Sequence, residues 1–197
     1  MSTSIMEKKV LNIVQAARVM FGRHGFTKTT MSDIANQAGV TRQTVYNAFG
    51  SKDDILRVVI REIGKQTLEQ LKTEWAEHGT IEQKLAAFQR IGPLSWFTEV
   101  RNAPDWADIL EGLNMSAASE LAEIEKEWIA LLNGMLNKEL QTDAGGPAAV
   151  QDVSEFFYTA SKNAKYGVDD PEDMKKRLAT ILEATMALLK SRGYQQA

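Results

Sequence analysis

Apolar residues recur at steps of three and four along most of this 197-residue chain, which is the spacing of one face of an α-helix. Val10, Ile13, Ala17 and Phe21 carry this spacing near the start and predict a first helix that ends near Gly25. Strict alternation of apolar and polar residues, which is typical of half-buried strands, is rare. The pattern therefore predicts an all-α fold.

Two short helices joined by a tight turn are predicted next. Thr30 and, three residues later, Asp33 form a capping pattern for a helix over residues 31 to about 38. Gly39 stands where a residue in the left-handed conformation ends such a helix. A third helix is predicted over residues 42 to 49, and its outer face is polar. A bracing helix, a glycine turn and a short polar helix are the parts of a helix-turn-helix module.

The outer face of the third helix carries side chains that suit the major groove of DNA. Arg42 matches the O6 and N7 atoms of guanine, and Gln43 or Asn47 matches the N6 and N7 atoms of adenine. Thr44 suits either a phosphate or a thymine methyl group. A short polar helix on its own is more often a solvated surface, but the helix-turn-helix context favours DNA contact.

A second set of residues is better placed for the phosphate backbone of DNA than for its bases. Tyr46 and Lys52 belong to this set, together with Thr30 and the free N–H groups at the start of the second helix. The helix macrodipole disfavours a lysine near a helix start. A phosphate partner would explain Lys52 there, and the alternative is an ordinary surface lysine.

Charge divides the chain into two parts of opposite sign, although the net charge of the whole is −3. Residues 1–57 hold eight Lys or Arg against four Asp or Glu, a net charge of +4. The remainder holds 15 basic and 22 acidic residues, a net charge of −7. This asymmetry fits a polyanion-binding domain joined to a domain with another task. We therefore predict a DNA-binding head (residues 1–56) and a helical body (residues 57–197) with another task, which the family resemblance described below implies to be effector binding and dimerisation.

The body reads as a series of amphipathic helices. They are predicted at about 51–75, 81–91, 95–101, 105–113, 117–140, 148–166 and 171–192, and Gly92-Pro93 is expected to close the second of these. Large apolar side chains and one amide are candidates for a ligand pocket: Trp96, Trp106, Asn114, Met115, Trp128 and Phe156. Ordinary core packing is the alternative for the apolar members, and a helix cap is the alternative for the amide.

The head also resembles the DNA-binding domain of the TetR family of transcriptional regulators. The resemblance covers residues 8–56 and is carried by the stretch ARVMFGRHGFTKTTMSDIANQAGVTRQTVYNAFGSKDDIL. It implies DNA contacts at the positions Thr30, Arg42, Gln43, Thr44, Tyr46, Asn47 and Lys52. Ala48 departs from the pattern, because some members carry a polar DNA-contacting side chain there.

The same resemblance implies a body of about six helices around a ligand pocket and a homodimer formed by the last two helices. It also implies a repressor that leaves a palindromic double-stranded operator when a small apolar or amphipathic effector binds. The last helix carries an apolar face wide enough for both body and partner: Met174, Leu178, Ile181, Leu182, Met186 and Leu189.

Other classes of protein are disfavoured by residues that the chain lacks. It has no cysteine, so thiolate nucleophiles and Cys-ligated zinc are excluded, and His24 and His78 do not stand at metal-ligand spacing. We predict no catalytic residues and no cofactor. The alternatives are an enzyme built on a helical body and a DNA-binding protein of structural role, which would be basic throughout. No long apolar run or signal sequence is present, so we expect no membrane contact and a cytoplasmic location.

Overall fold

The computed structural model describes residues 2–77, 79–101, 115–141 and 147–196, and the described chain is all-α, as predicted. Two strands of two residues each, β1 (Leu140–Gln141) and β2 (Gln195–Gln196), pair antiparallel. The helices are α1 (Ser2–His24), α2 (Met31–Ala38), α3 (Arg42–Ala48), α4 (Lys52–Glu77), α5 (Ile81–Gln89), α6 (Ser95–Arg101), α7 (Ala118–Glu139), α8 (Pro147–Asn163) and α9 (Pro171–Ser191). The helix predicted at about 105–113 falls outside the described residues.

The chain forms two compact units. Unit 1 comprises Met1–Lys65 and Glu99–Glu123, and unit 2 comprises Gln66–Thr98 and Ile124–Ala197. Helices α4, α6 and α7 each contribute residues to both units. The predicted boundary between head and body, after residue 56, separates parts with different expected functions, whereas the two units are separated by their contacts. That boundary stays a prediction.

In unit 1 the predicted apolar faces are buried. Helix α1 packs on α2, and α2 packs on α3. Ile13 and Ala17 of α1, Ile34 of α2 and Val45 of α3 are all fully excluded from solvent. Burying a side chain of the size of isoleucine or valine contributes roughly 1.5 to 3 kcal/mol. These residues therefore hold α3 in place from its inner side and leave its outer side to solvent.

Unit 2 contains a large cluster of buried apolar side chains. Phe88 of α5 lies at its centre, with its ring centroid 4.9 Å from that of Trp128 and 5.5 Å from that of Phe157. Leu132 and Leu136 of α7 are fully buried in the same cluster. The apolar spacing along α5, α7 and α8 therefore serves this core.

A buried polar contact also ties three helices of unit 2 together. The Gln89 amide at the end of α5 donates to the Ser161 hydroxyl at 3.1 Å and to the Leu178 carbonyl at 2.9 Å. Gln89 is 4% exposed, and Ser161 is fully buried. Because an unpaired buried amide is costly, these bonds fix the relative positions of α5, α8 and α9.

The prediction that Gly92-Pro93 closes a helix is wrong. The chain passes from α5 into the π-helical segment Arg90–Leu94, and this segment runs directly into α6. Pro93 lacks an N–H group and crowds the preceding turn, and the wider π turn accommodates it. Gly92 is required there for space: a Cβ atom would lie 2.7 and 2.9 Å from two ring carbons of Trp128.

Candidate nucleic-acid interface

Helix α3 presents the polar residues that the sequence singled out. Arg42, Gln43 and Asn47 are exposed, Tyr46 is 41% exposed, and Thr44 is half-buried. The inner anchors of this helix are the buried side chains at positions 45 and 49. The structure thus brings these five predicted contact residues together on one short helix.

The exposed side chains of α3 are ordered in two pairs, each spanning one turn of the helix. The Arg42 guanidinium lies 5.3 Å from the ring centroid of Tyr46 and donates to its hydroxyl at 3.3 Å. The Gln43 amide nitrogen donates to the Asn47 amide oxygen at 2.7 Å. Residues four apart on a helix are neighbours, so both pairs form within α3 itself.

Thr41 begins α3 as its N-cap, a role that sequence reasoning missed. Its hydroxyl oxygen accepts from the Thr44 N–H at 3.1 Å, and the two threonine hydroxyls are 2.8 Å apart. The signal was present in the sequence, since threonine is a preferred N-cap residue. The predicted third helix starts at residue 42, and that prediction gives Thr41 no capping role.

The predicted capping pattern at α2 is confirmed. The Thr30 N–H and hydroxyl donate to the Asp33 carboxylate at 2.8 and 2.6 Å, and the Asp33 N–H donates to the Thr30 hydroxyl at 3.2 Å. The bond from the Thr30 hydroxyl, followed by that from its N–H, lowers the pKa of Asp33. The Thr30 N–H is therefore already used within the protein, and phosphate contact at Thr30 stays a prediction.

Lys52 lies at the start of α4 and binds the loop between α1 and α2. Its ammonium group donates to the carbonyls of Phe26, Thr27 and Thr29 at 2.6, 3.2 and 2.9 Å, and it lies 4.4 Å from the Phe26 ring centroid. An ammonium group has three N–H donors, so these carbonyls match its full capacity. Phosphate contact by Lys52 stays a prediction, and it would require the ammonium group to exchange partners.

Two further polar side chains brace the head, and neither stood out in the sequence. The Asn12 amide of α1 donates to the Ala38 carbonyl at the end of α2 at 2.7 Å. The Thr29 hydroxyl is buried and donates to the Gly25 carbonyl at 2.6 Å. Gly39 follows Ala38 with a φ of 65°, the left-handed conformation predicted for it. Together they fix the ends of the helix that supports α3.

The first turns of α4 are also bonded to the second segment of unit 1. Arg57 donates to the Ser116 carbonyl at 2.8 Å and to the Asp54 carboxylate at 2.7 Å. The Ser116 hydroxyl donates in turn to the Asp53 carboxylate. These long-range bonds join residues that lie about sixty positions apart in the sequence. They connect Asp53, near the end of the head, and Arg57, which follows the head, to a part of the chain outside it.

The predicted pocket residues are not brought together in the part of the chain that the structure describes. Trp128 is buried in the core of unit 2, whereas Phe156 is 45% exposed. Met115 is 78% exposed and belongs to unit 1. Trp106 and Asn114 fall outside the described residues. Whether these six residues bind a ligand stays a prediction.

Trp96, the remaining member of the predicted pocket, contacts a cation instead of the core. The Lys165 ammonium lies 4.3 Å from the Trp96 ring centroid and 5.4 Å from that of Tyr166. Burial lowers the pKa of Lys165, and the nearby charge of Lys162 lowers it further. Cation–π contact compensates in part for the lost hydration of this ammonium group.

Two surface grooves occur in unit 2, and neither is lined by a predicted pocket residue. One, of about 420 Å³, is polar and lies between Gly167 and Arg177. The other, of about 350 Å³, is largely apolar and is lined in part by Ile81, Met186 and Tyr194. Within the described residues no cluster of three metal-ligating side chains occurs, and no helix is long and apolar enough to cross a membrane.

Comparison with known proteins agrees with the geometry of the head. Residues 13–59 match the family described as bacterial regulatory proteins, tetR family. The fatty acid metabolism regulator protein of Bacillus subtilis (strain 168) is 28% identical over 138 residues, which cover 68% of this chain and 69% of that protein. Further relatives are HTH-type transcriptional regulators, matched over shorter stretches.

Solved structures show that most of the chain has a known fold. The fatty acid degradation regulator FadR from Bacillus halodurans superposes with a TM-score of 0.60 at 21% identity, over 88% of this chain and 94% of that one. The complex of triclosan with SmeT, a repressor from Stenotrophomonas maltophilia, gives a TM-score of 0.59 at 17% identity, over 91% and 90%. At such identities the likeness concerns the fold alone.

Proposed function

We propose, starting from the membership of this chain in the TetR family of transcriptional regulators, that a homodimer binds a palindromic DNA operator through α3. A small apolar or amphipathic molecule bound in the body then releases it. The observation that carries the proposal is the ordered polar face of α3, which is held from behind by Val45. The relatives of the chain are regulators rather than enzymes, as predicted.

The two side-chain pairs of α3 suit different bases. Arg42 donates one of its five guanidinium N–H groups to the Tyr46 hydroxyl. The remaining N–H groups are enough for two hydrogen bonds to a guanine. Within the second pair, the Gln43 amide oxygen and the Asn47 amide nitrogen are not used by the bond that joins them. This acceptor and this donor are the groups that adenine N6 and N7 require. Tyr46 is the phosphate contact that we favour.

Dimerisation through α8 and α9 is supported by apolar side chains that unit 2 does not bury completely. Phe156 of α8 is 45% exposed, and Ile181, Leu182 and Met186 of α9 are half-buried. A two-fold dimer places its recognition helices in successive major grooves, about 34 Å apart. Leu182→Arg should separate the dimer in sedimentation, whereas Thr180→Arg, on an exposed position of the same helix, should leave it intact.

An apolar effector is supported by the relatives and by the chemistry of unit 2. One relative is named a regulator of fatty acid metabolism, and one fold neighbour was solved with triclosan. The core of unit 2 consists mainly of aromatic and aliphatic side chains. A tenfold loss of operator affinity requires about 1.4 kcal/mol of coupling, and near-complete release requires on the order of 5.5 kcal/mol.

Helix α4 is the element through which we propose that the effector acts on the head. It gives residues 52–65 to unit 1 and residues 66–77 to unit 2. Its first turn is bonded to the loop before α2 by Lys52 and to Ser116 by Arg57. A displacement of α4 would therefore change the position of α3.

Selection of bound duplexes from a random pool tests the proposal. We expect enrichment of a palindrome whose half-sites are one helical turn apart, with an affinity that falls as salt rises. A set of apolar compounds should then contain one that lowers operator affinity by tenfold or more. Enrichment of no sequence, or of a site without two-fold symmetry, would contradict the proposed operator.

A further inference from the structure

Two tryptophans of unit 2 are buried to the same degree but differ in their hydrogen bonds. Trp75 is 8% exposed, and its indole N–H donates to the Lys84 carbonyl at 2.7 Å. Trp128 is 7% exposed, and among the described residues its indole N–H is a buried group without any partner. Indole nitrogen is only a donor, and a buried donor without an acceptor destabilises the fold. An acceptor that bonds to the unpaired N–H of Trp128 would therefore remove this unfavourable contribution.

The backbone that faces Trp128 is unusual at the same place. Gly92 of the π-helical segment Arg90–Leu94 lies against the six-membered ring of Trp128, and only glycine fits at this position. π turns are rare and are concentrated at functional sites. Pro93 also removes one backbone donor from this segment. At this point Trp128 therefore lies against backbone, and that stretch of backbone lacks the N–H group of Pro93.

We propose that the Trp128 indole N–H donates a hydrogen bond to a neutral carbonyl group of an apolar effector, and that the π-helical segment moves to admit it. The inference rests on the proposed function, because it names the chemical class of the effector. It assigns to Trp128 a binding role that ordinary core packing does not require.

The surroundings of Trp128 select a neutral carbonyl over a carboxylate. Its neighbours are apolar, with Phe88 in edge-to-face contact and Leu132 in the same cluster. Two charged groups on adjoining turns are already paired, Glu125 with Lys162 at 2.6 Å and Arg90 with Glu74. A buried carboxylate would lack a counter-charge, which is costly, whereas a carbonyl oxygen requires only one donor. Esters, thioesters or amides of apolar chains therefore fit, and free fatty acids and alkanes fit less well.

Indole N–H signals in a proton–nitrogen NMR spectrum test this bond directly on the full-length wild-type protein. Methyl decanoate serves as the carbonyl probe, and undecane and decanoate serve as the matched probes. We expect methyl decanoate to move the Trp128 indole proton downfield, as hydrogen bonding does, and undecane not to do so. The Trp75 signal is the internal control, because its N–H is already bonded. Trp128→Phe assigns the signal, and Phe variants of the other three tryptophans assign it by elimination should that variant not fold.

Binding measured by equilibrium dialysis provides the second readout. The wild type should bind methyl decanoate roughly five- to tenfold more tightly than Trp128→Phe does, which is the range for one buried neutral hydrogen bond. Undecane should bind both proteins equally, and Trp75→Phe should retain the wild-type preference. An indole signal that does not respond to the ester, or responds equally to undecane, overturns the inference. Tighter binding of decanoate than of the ester overturns the choice of a neutral group.

The same experiment separates this inference from the proposed function. If operator selection succeeds and the Trp128 signal does not respond, the proposed regulatory function is supported and the proposed carbonyl site is wrong. If the Trp128 signal responds and no operator is found, the carbonyl site stands and the proposed DNA-binding role is wrong.

Discussion

The head and unit 2 are both helical, but different interactions determine their structures. In the head, short-range polar bonds define the helix ends: Thr30 pairs with Asp33, Thr41 caps α3, and Gly39 ends α2. In unit 2, contacts between residues far apart in sequence predominate, such as Gln89 with Leu178 and Gly92 with Trp128. A recognition surface is thus specified locally, whereas a core that could admit a ligand is specified by packing. Substitutions in the two regions should therefore fail in different ways.

Phe88→Ala should have the largest effect, because it removes the ring at the centre of the unit 2 core. We expect the free energy of unfolding to fall by about 3 to 5 kcal/mol, the usual cost of removing a buried phenylalanine. Chemical denaturation followed by circular dichroism measures it. Tyr166→Ala, at an aromatic residue that is 67% exposed, is the control. Equal losses in the two variants would show that Phe88 does not hold this core.

Arg42→Ala should change DNA binding and leave stability almost unaffected. We expect the loss of about 1 to 3 kcal/mol of operator binding energy and relaxed preference at one base pair. Binding to operators substituted at each position measures both effects. Lys72→Ala removes an exposed positive charge outside the head and should not alter the profile. An unchanged profile for Arg42→Ala would remove this residue from the recognition surface.

Lys52→Met distinguishes a structural from a DNA-contacting role. The loss of three bonds to carbonyls should lower the free energy of unfolding by roughly 1 to 3 kcal/mol. A plot of the logarithm of operator affinity against the logarithm of salt concentration should keep its slope, because the Lys52 ammonium group is held by the protein. A slope smaller in magnitude by about one would show that Lys52 also contacts phosphate, as the sequence predicts.

Thr30→Ala should give the smallest effect, a loss of stability that is present at neutral pH and fades at acid pH. The bonds from Thr30 hold the pKa of Asp33 below its usual value. A group whose pKa is lowered by folding stabilises the fold above its unfolded pKa, and this contribution is lost as the pH falls through the folded pKa. In the variant, the pKa of Asp33 should rise towards its ordinary value, which carboxyl NMR titration measures. The pKa of Asp173, lowered by Lys176, is the control and should stay unchanged.

The same contrast explains what could be predicted from the sequence. The bounds of α2 and the turn at Gly39 were found because their determinants lie within four residues of one another. The capping box of Thr80 and Gln83 at the start of α5 is of the same local kind. The partners of Lys52 and Asn12 lie about 25 residues away in the chain, and no local pattern points to them. The helical continuation through Pro93 was not predicted either, and the contact that Gly92 makes there is with Trp128, which lies on another helix.

The polar side chains that hold the recognition helix α3 in position lie outside this helix. Asn12, Thr29 and Lys52 position it through backbone carbonyls, and carbonyls are present whatever the side chains are. Four of the exposed positions of α3, namely 42, 43, 46 and 47, can therefore mutate without loosening their support. Such a design separates the evolution of operator preference from that of the scaffold. A duplicated gene could acquire a new target sequence through a few substitutions and keep its response to the same effector.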